Sequence, residues 1–382
     1  MCAVPIQPLR AAVRRKLLPW FAANARDLPW RTAPRRPYAV WISEIMLQQT
    51  RVDTVIPYFR RFLARFPDPA ALAAAPLQDV LKLWENLGYY SRARQIHKAA
   101  QILVRDHGGK LPADPAALAE LPGLGPYTVA AIASFAFGLP LAVLDGNVIR
   151  VFARLLALPD DIGLPATKKK LQRLADDLLP RDEPAKANEA WMELGALVCT
   201  PRAPRCPACP LRGVCRAAKS KTPAAFPKKK KKMKVPHKVV GAAVILNARN
   251  QILIAQRNPE KGMLAGLWEF PGGKIAEGET MPACIARELK EEMGLDIEVG
   301  AHLVTVHHAY SHFTIELHAH FARIRSGRPR HLECAGHAWT TRNRFDEFPF
   351  SKADHEIIRA LRALPAPPRL RDYFPAPKLA RS

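Results

Sequence analysis

The sequence predicts a multidomain fold in which an all-α domain is followed by a mixed α/β domain. The 382 residues exceed what a single ordinary hydrophobic core accommodates. Apolar residues recur at helical spacing up to residue 220 and at alternating, strand-like spacing after residue 236. The stretch between them, KTPAAFPKKKKKMKVP, contains five consecutive lysines that repel one another, which indicates a linker. The expected divisions are therefore 1–220, 221–236 and 237–370.

Start and stop signals in the first domain predict two helices joined by a tight turn. The first helix begins at Asp114, a capping residue followed by proline, and the second ends at Gly138. Between them lies 121–128, LPGLGPYT. Gly123 and Gly125 allow a tight turn, and the free N–H groups at the start of the second helix favour a bound phosphate. The alternative is a plain turn between helices.

The second domain is predicted to contain strands and one clear helix. Segments 239–246 and 251–256 are predicted to form a strand pair around a turn at 247–250. Apolar and polar residues alternate through 313–321, which is typical of a half-buried strand. Residues 280–293 have the pattern of a helix that ends at a glycine.

The formal net charge of +24 favours a polyanionic partner such as nucleic acid, because Lys and Arg release counterions when they bind phosphates. The alternative is a basic composition without a specific partner. No stretch is apolar enough to span a bilayer, and the N-terminus lacks the apolar run of a secretory signal. A cytoplasmic location is expected, in which thiols stay reduced.

Four cysteines lie close together with the spacing C-x6-C-x2-C-x5-C: Cys199, Cys206, Cys209 and Cys215. Such a set can hold tetrahedral zinc or a [4Fe–4S] cluster, since both take four thiolates. The alternative is four buried, unreactive cysteines. Cys2, Cys284 and Cys334 are scattered and predict no site.

An acidic motif in the second domain matches every fixed position of the Nudix box: Gly273, Glu279, Arg287, Glu288, Glu291, Glu292 and Gly294. Glu288, Glu291 and Glu292 fall on one face of a helix, where like charges repel. A divalent cation such as Mg²⁺ or Mn²⁺ would remove that repulsion and bridge a diphosphate. The alternative is a solvated acidic face.

Several segments of the first domain resemble one family in combination: 41–51 (WISEIMLQQTR), 87–92 (LGYYSR), 121–128, 144–148 (LDGNV) and 188–199 (NEAWMELGALVC). They are similar to the adenine DNA glycosylase (MutY) family, within the endonuclease III superfamily. The resemblance implies a helix-hairpin-helix glycosylase domain and a [4Fe–4S] cluster in the loop 199–215. It also implies duplex DNA as partner.

Cleavage of a purine N-glycosidic bond needs a proton on the leaving base and a negative group near the sugar cation. Glu44 lies in an apolar helical run, where burial would raise its pKa and suit it as an acid. The resemblance implies that Glu44 protonates adenine N7 and that Asp145 stabilises or captures the cation. It further implies that Tyr127 supports the cation and that Asn147 orients the pair. A lysine stands at the Tyr127 position in strand-cleaving relatives, so a monofunctional enzyme is predicted.

The resemblance implies that the pocket for the flipped adenine is lined by Arg26, Trp30, Arg31 and Glu189. It also implies that two residues wedge into the base stack, Gln49 and Tyr89. A flipped base leaves a gap that a side chain must fill. Taken singly, Trp30 and Tyr89 are of a type that is more often found in the core than stacked on a base.

The second domain resembles the MutT family, and in adenine glycosylases the corresponding domain reads 8-oxoguanine but has typically lost the Nudix box. The reading loop there carries Phe-Ser-His, whereas this chain has Tyr310, Ser311 and His312. Two hypotheses follow. The domain only reads the oxidised base in the opposite strand, or it also hydrolyses a nucleoside triphosphate such as 8-oxo-dGTP.

The expected function is removal of adenine paired with 8-oxoguanine or guanine in duplex DNA, by a monomer that acts in base excision repair. Alternatives are a damage sensor that does not cut, a nucleotide diphosphohydrolase fused to a DNA-binding domain, and a pyrimidine glycosylase on the same scaffold. The sensor is disfavoured because both Glu44 and Asp145 are present.

Overall fold

A computed structural model describes residues 6–230, 235–310 and 312–374. Within them the chain forms two compact units, which divide it as Met1–Ala74 with Gln95–Lys232 and as Ala75–Arg94 with Met233–Ser382. The first unit is helical and the second contains the β-strands. The predicted multidomain fold, helical first and α/β second, is confirmed.

The helices up to the cysteine loop and just beyond it are α1 (Ile6–Ala12), α2 (Leu18–Asn24), α3 (Pro37–Leu47), α4 (Val52–Arg65), α5 (Pro69–Ala74), α6 (Leu77–Leu83), α7 (Ser91–Asp106), α8 (Pro115–Ala119), α9 (Pro126–Phe137), α10 (Gly146–Leu156), α11 (Pro165–Leu178), α12 (Pro184–Leu197) and α13 (Arg216–Lys219). A π-helical stretch, Val13–Leu17, joins α1 to α2. The helices of the second unit's C-terminal part are α14 (Met281–Met293), α15 (Lys352–Ala363) and α16 (Leu370–Tyr373).

The turn between α8 and α9 forms as predicted. The Asp114 carboxylate caps α8 by accepting the N–H groups of the second and third helical residues at 3.3 and 3.0 Å. Gly138 ends α9 in the left-handed conformation, with φ of 69°. Gly123 has φ of 82°, and a Cβ there would lie 2.8 Å from the Gln95 side chain, so only glycine fits. A Cβ at Gly125 would meet no atom within 4 Å, which leaves room at the start of α9.

Strands of the second unit are β1 (His237–Ile245), β2 (Ile252–Gln256), β3 (Trp268–Glu269), β4 (Asp296–Ala309), β5 (Thr314–Ser326) and β6 (Gly336–Thr340). In the described residues they form two sheets, ordered β1-β5-β4 and β3-β2-β6. β1 runs parallel to β5, and the other pairs are antiparallel. Side chains of β5 alternate between buried and half-buried, which confirms the alternating strand predicted for 313–321.

The predicted pairing of 239–246 with 251–256 is wrong, although both segments are strands. A single bridge, between Leu246 and Ile252, joins them. β1 pairs instead with β5, for example Val240 with Leu317, and β2 pairs with β6. The turn at 247–250 therefore carries the chain from one sheet to the other, and the apolar character of both strands comes from burial between layers.

Helix α14 packs against β1 at a glycine. A Cβ at Gly241 would lie 2.5 Å from Ile285 Cγ1 and 2.8 Å from Met281 Sδ, so the helix contacts the strand backbone directly. Thr280 caps the start of the helix, and Gly294 ends it with φ of 66°, which confirms the helix predicted for 280–293. This packing fixes the position of the Nudix glutamates.

Residues 221–230 of the predicted linker contact the first unit. The Ile162 N–H donates to the Lys228 carbonyl at 3.0 Å, and the Lys230 N–H donates to the Asp161 carboxylate at 3.3 Å. Lys231 and Lys232, which complete the lysine run, lie outside the described residues. The first part of this basic stretch is thus hydrogen-bonded to the helical unit.

Candidate active site

The first unit contains a cavity of about 630 Å³ whose walls come from distant parts of its sequence. Its lining includes Arg26, Trp30, Arg31, Glu44, Gln49, Tyr127, Asp145, Asn147, Glu189 and Glu193. The volume lies within the range of small-molecule sites. The structure therefore brings together nine of the residues singled out in the sequence, and adds Glu193.

Glu44 projects from α3, an almost entirely apolar helix, and is 4% exposed. Its Oε2 accepts the hydroxyl proton of Tyr127 at 2.8 Å. Burial, together with the negative charges of Asp145 and Glu189, raises the pKa of Glu44 to about 7 against the opposing hydrogen bond from Tyr127. Burial also raises the pKa of Tyr127. Near neutral pH this carboxyl can hold a proton and still give it up.

Asp145 lies immediately before α10 and caps its N-terminus. Oδ1 accepts the Val148 N–H at 2.7 Å, and Oδ2 accepts the side-chain amide of Asn147 at 2.7 Å. Burial outweighs these hydrogen bonds and raises the pKa of Asp145 above its ordinary value, although the helix N-terminus favours a negative charge. One cavity thus contains a carboxyl with a pKa of about 7 and a second carboxyl that accepts two N–H donors.

Two further glutamates hold the arginines of the cavity wall. Glu193, whose side chain is 1% exposed, accepts Arg26 Nε at 2.7 Å and Arg31 Nη2 at 3.2 Å. Glu189 accepts Arg31 Nε at 3.0 Å and Arg35 Nη2 at 2.7 Å. Burial would raise the pKa of Glu193, but the two arginines hold it below its usual value. All three nitrogens of the Arg31 guanidinium are therefore hydrogen-bonded, since Nη1 also donates to the Arg26 carbonyl at 3.2 Å.

Sequence reasoning missed Glu193 and Arg35. A signal was present, because Glu189 and Glu193 are four residues apart on α12 and both are acidic in a mostly apolar helix. A pair of buried carboxylates on one helical face requires cationic partners.

The remaining predicted residues of the pocket and wedge differ in their surroundings. Trp30 is 6% exposed and meets Phe59 edge to face at 5.3 Å. Gln49 follows α3 with φ of 59° and lines the cavity. Tyr89 belongs to the second unit, is half-buried and has φ of 48°. Left-handed backbone at a non-glycine residue is strained, and such strain is concentrated at functional positions.

Two arginines of α10 contact the cysteine loop, and one of them connects it with Asn147. Arg150 donates to Asn147 Oδ1 at 2.8 Å and to the Cys199 carbonyl at 2.8 Å. Arg154, 2% exposed, donates to Cys199 Sγ at 3.3 Å and to several loop carbonyls. Asn147, Arg150 and Arg154 lie along one face of α10, a helical spacing that would have revealed them in the sequence. The loop and the Asp145 carboxylate are thus joined by two side chains, Asn147 and Arg150.

The four cysteines predicted as ligands line one small cavity of the first unit. They are reduced, and burial together with the neighbouring thiols raises the pKa of Cys209 to about 11. Neutral thiols are the expected state when no positive centre compensates them. Among the described residues, no group of three or more Cys, His, Asp or Glu side chains has the arrangement of a metal site.

In the second unit the residues of the Nudix box form two groups with different contacts. Arg287 pairs with Glu279 at 2.9 Å, Glu288 at 2.9 Å and Glu291 at 3.0 Å, so these carboxylates share one cation. A Cβ at Gly273 would lie 2.1 Å from the Glu288 carboxylate, which explains why glycine occupies this position.

Glu292 faces a separate cavity of about 490 Å³, together with Arg257, Glu269 and Glu333. Burial and the nearby Glu269 raise the pKa of Glu292 to about 8, and burial raises that of Glu269 to about 7. Glu269, an ion-pair partner of Arg257, was not predicted. The charges of Glu269, Glu288 and Glu333 all raise the pKa of Glu292, so a nearby cation would favour its ionised form.

The predicted reading loop lies between β4 and β5. Tyr310 is half-buried, and its ring contacts those of His308 at 4.5 Å and Phe313 at 5.0 Å. His312 is exposed, and Ser311 lies outside the described residues. No helix in the described part of the chain has the length and apolar character to cross a membrane.

Comparison with known proteins assigns both parts of the chain. Residues 42–181 match the HhH-GPD superfamily of base excision DNA repair proteins, and residues 241–360 match the NUDIX domain. A thermostable thymine-DNA glycosylase of known structure is 29% identical, with a TM-score of 0.51, over 56% of this chain and 98% of that one.

Relatives align over most of the sequence. The adenine DNA glycosylase of Rattus norvegicus is 34% identical over 91% of this chain and 77% of the rat protein. That of Homo sapiens is 34% identical over 91% of this chain and 73% of the human protein. The chain belongs to the adenine DNA glycosylase family and is a DNA N-glycosylase.

Proposed function

We propose that this enzyme removes adenine paired with 8-oxoguanine or guanine in duplex DNA. The observation that carries the proposal is the presence of Glu44 and Asp145 in one buried cavity of the first unit, with different surroundings. The names of the relatives and the positive charge of the chain support it. A damage sensor that does not cut would have no use for such an acid and anion pair.

The chemical step transfers the Glu44 proton to N7 of the flipped adenine. The bond between C1′ and N9 then breaks, and its electron pair leaves with the neutral base. Asp145 stabilises or captures the sugar cation, and a water molecule completes the hydrolysis. Asn147 keeps Asp145 in place, while Tyr127 orients Glu44 through their 2.8 Å hydrogen bond. A phenol cannot form a Schiff base, so strand cleavage is not part of the reaction.

Substrate DNA is expected to contact several further parts of the protein. Arg26, Arg31, Glu189 and Trp30 surround the extruded base, whereas Gln49 and Tyr89 fill the gap in the stack. The turn at Gly123 and Gly125 offers N–H groups to a phosphate. The protein acts as a monomer in the cytoplasm, associated with the nucleoid.

The loop with Tyr310, Ser311 and His312 is proposed to read 8-oxoguanine in the strand opposite the adenine. The Tyr310 ring can stack on a base, and the exposed His312 can donate a hydrogen bond. This part of the proposal rests on the resemblance of the loop and on its place between two strands.

The cysteine loop is proposed to hold a [4Fe–4S] cluster. The residues fit this group, because four thiols line one cavity and the Arg154 guanidinium is bonded to one of them. When bound, the cluster supplies a positive centre that keeps the thiolates ionised and the loop rigid. The chain's own contribution is the link through Arg150 to Asn147.

A second candidate activity is hydrolysis of an oxidised nucleoside triphosphate at the Nudix box. The observation that favours it is the set of Glu269, Glu292 and Glu333 around one cavity, with Arg257 beside them. These carboxylates would hold Mg²⁺ or Mn²⁺, which polarises the bridging phosphate. Water would attack phosphorus and break a P–O bond, releasing a monophosphate and pyrophosphate.

Replacement of Asp145 by Asn should abolish adenine release from a duplex that carries adenine opposite 8-oxoguanine. The amide keeps the size of the side chain but cannot stabilise a cation, so single-turnover excision should fall by at least about a hundredfold. Free adenine is measured by chromatography. Glu298→Gln, an ion-paired residue of the second unit, is the matched control. Undiminished release by the Asp145 variant would contradict the mechanism.

Excision by the wild type should fall above pH 7, by about tenfold per pH unit. The pKa of Glu44 is raised to about 7, so its proton is present below that pH and is lost above it. Glu44→Gln should be slower by about 10²–10⁴-fold and should lose this dependence, because the amide does not titrate. Single-turnover rates between pH 6 and 9 test both points, and a flat wild-type profile would refute the assignment.

The purified protein should contain about four iron atoms and four sulfides per chain. Cys209→Ser should lower the iron content, since a hydroxyl is a poor ligand for iron. Cys334→Ser, outside the loop, is the control. Elemental analysis distinguishes the alternatives, because stoichiometric zinc in place of iron would rule out the cluster.

Mg²⁺-dependent release of pyrophosphate from 8-oxo-dGTP should be lost in Glu292→Gln. Because the amide carries no charge, it binds the cation more weakly, and the rate of pyrophosphate release should fall by about a hundredfold or more. Glu298→Gln again serves as the control, and pyrophosphate is measured directly. If no nucleotide, oxidised or normal, is hydrolysed by the wild type, the second activity is excluded.

A further inference from the structure

The segment 75–94 carries the proposed wedge residue Tyr89 and forms part of the same compact unit as the reading loop. Its helix α6 contacts β3 and the residues just before it. Gln78 donates to the Gly266 carbonyl at 2.9 Å and accepts the Trp268 indole N–H at 3.1 Å. Arg94 donates to the Ala265 carbonyl at 2.8 Å. These bonds hold both ends of the segment.

Glu85 is the most highly connected residue of the segment. Its Oε1 accepts the Phe350 N–H at 2.8 Å and lies 2.9 Å from His355 Nε2. Its Oε2 accepts the Lys82 ammonium at 2.8 Å. Burial would raise the pKa of Glu85, but these three partners outweigh it and hold the pKa below its usual value. The carboxylate is therefore charged at neutral pH and bound on both oxygens.

Residues 86–90, called the wedge loop below, have an unusual backbone. Asn86, Gly88 and Tyr89 all have positive φ, at 70°, 72° and 48°. Two of them are not glycine, and left-handed backbone at such residues is strained. A conformation of this kind persists only where neighbouring groups fix it.

Tyr90 supplies one of the fixing contacts and ties the loop to the C-terminal part of the unit. Its hydroxyl accepts the Asn86 N–H at 3.1 Å and donates to the Phe350 carbonyl at 3.2 Å. Arg92 donates to the Gly88 carbonyl at 3.1 Å. Phe350 thus contacts the wedge loop segment through both of its backbone polar groups, one on Glu85 and one on Tyr90.

The reading loop packs against the part of the unit that contains Phe350. The Tyr310 side chain lies against the apolar core to which Phe350 belongs. Ser351, the next residue, donates its hydroxyl to Asp354 Oδ2 at 2.6 Å, which helps to fix the backbone after Phe350. A path of contacts therefore runs from Tyr310 through the core at Phe350 to Glu85.

We propose that Glu85 and Tyr90 are positioning residues that couple 8-oxoguanine reading to insertion of Tyr89 into the base stack. The inference rests on the proposed roles of Tyr310 and Tyr89. A lesion bound at Tyr310 stabilises the Ser351–Phe350 backbone, which in turn holds the wedge loop in its strained conformation. Guanine makes fewer contacts at the loop, so the wedge is held less well and adenine opposite guanine is excised more slowly.

The test compares excision of adenine opposite 8-oxoguanine with excision opposite guanine. In Glu85→Gln the charge-assisted bonds to Lys82 and His355 are weakened, and in Tyr90→Phe the hydroxyl is absent. Both variants should lose preference for the 8-oxoguanine duplex by about fivefold or more. Fluorescence of a 2-aminopurine placed beside the lesion reports opening of the base stack. It should therefore be lower with both variants than with the wild type. Glu298→Gln is the control.

A double variant separates positioning from a structural role. Because Glu85 acts through Tyr89, Glu85→Gln should cause no further loss of preference when Tyr89 is already alanine. Equal slowing on both duplexes, or losses that multiply in the double variant, would overturn the coupling while leaving lesion reading intact. A wild type with no preference between the duplexes would refute lesion reading itself, and the coupling with it.

Discussion

The proposed chemistry depends on two carboxyl groups that share one cavity and need different protonation states. Glu44 lies on an apolar helix and is buried, which favours its neutral form. Asp145 lies at a helix N-terminus and accepts two hydrogen bonds, which stabilise the anion. The difference arises from secondary structure, since one residue is within a buried helix and the other precedes one.

The surrounding side chains give Glu44 and Asp145 different hydrogen-bond partners. Tyr127 binds Glu44 without supplying a positive charge that would ionise it. Asn147 binds Asp145 and is itself held by Arg150, which also contacts the cysteine loop. A glycine at 195 lets α12 approach Asn147, since a Cβ there would lie 2.6 Å from the asparagine. The position of the anion therefore depends on helix packing as much as on hydrogen bonds.

Much of this architecture could be predicted from local sequence. Caps and glycines defined α8, α9 and α14 because these signals act over a few residues. Family motifs pointed to the residues of the cavity. Partners of the strands could not be predicted, since the apolar run 239–246 fits either neighbour and only tertiary packing selects β5. The spacing of Glu193 and Arg150 on their helices was a local signal, but their distant partners, 45 to 167 residues away in the chain, could not be predicted.

The hydrogen bonds around Glu85 affect which fragments of this protein would keep their structure. A fragment that ends in the lysine run would retain the helical part but lose Gly266, Trp268 and Phe350, the partners of segment 75–94. The carboxylate of Glu85 and the hydroxyl of Tyr90 would then bind water, and nothing from the strands would hold the left-handed backbone at Tyr89. Dissection at that boundary would therefore remove the contacts that fix the proposed wedge loop, so the helical fragment would not keep the structure that this segment has in the full chain.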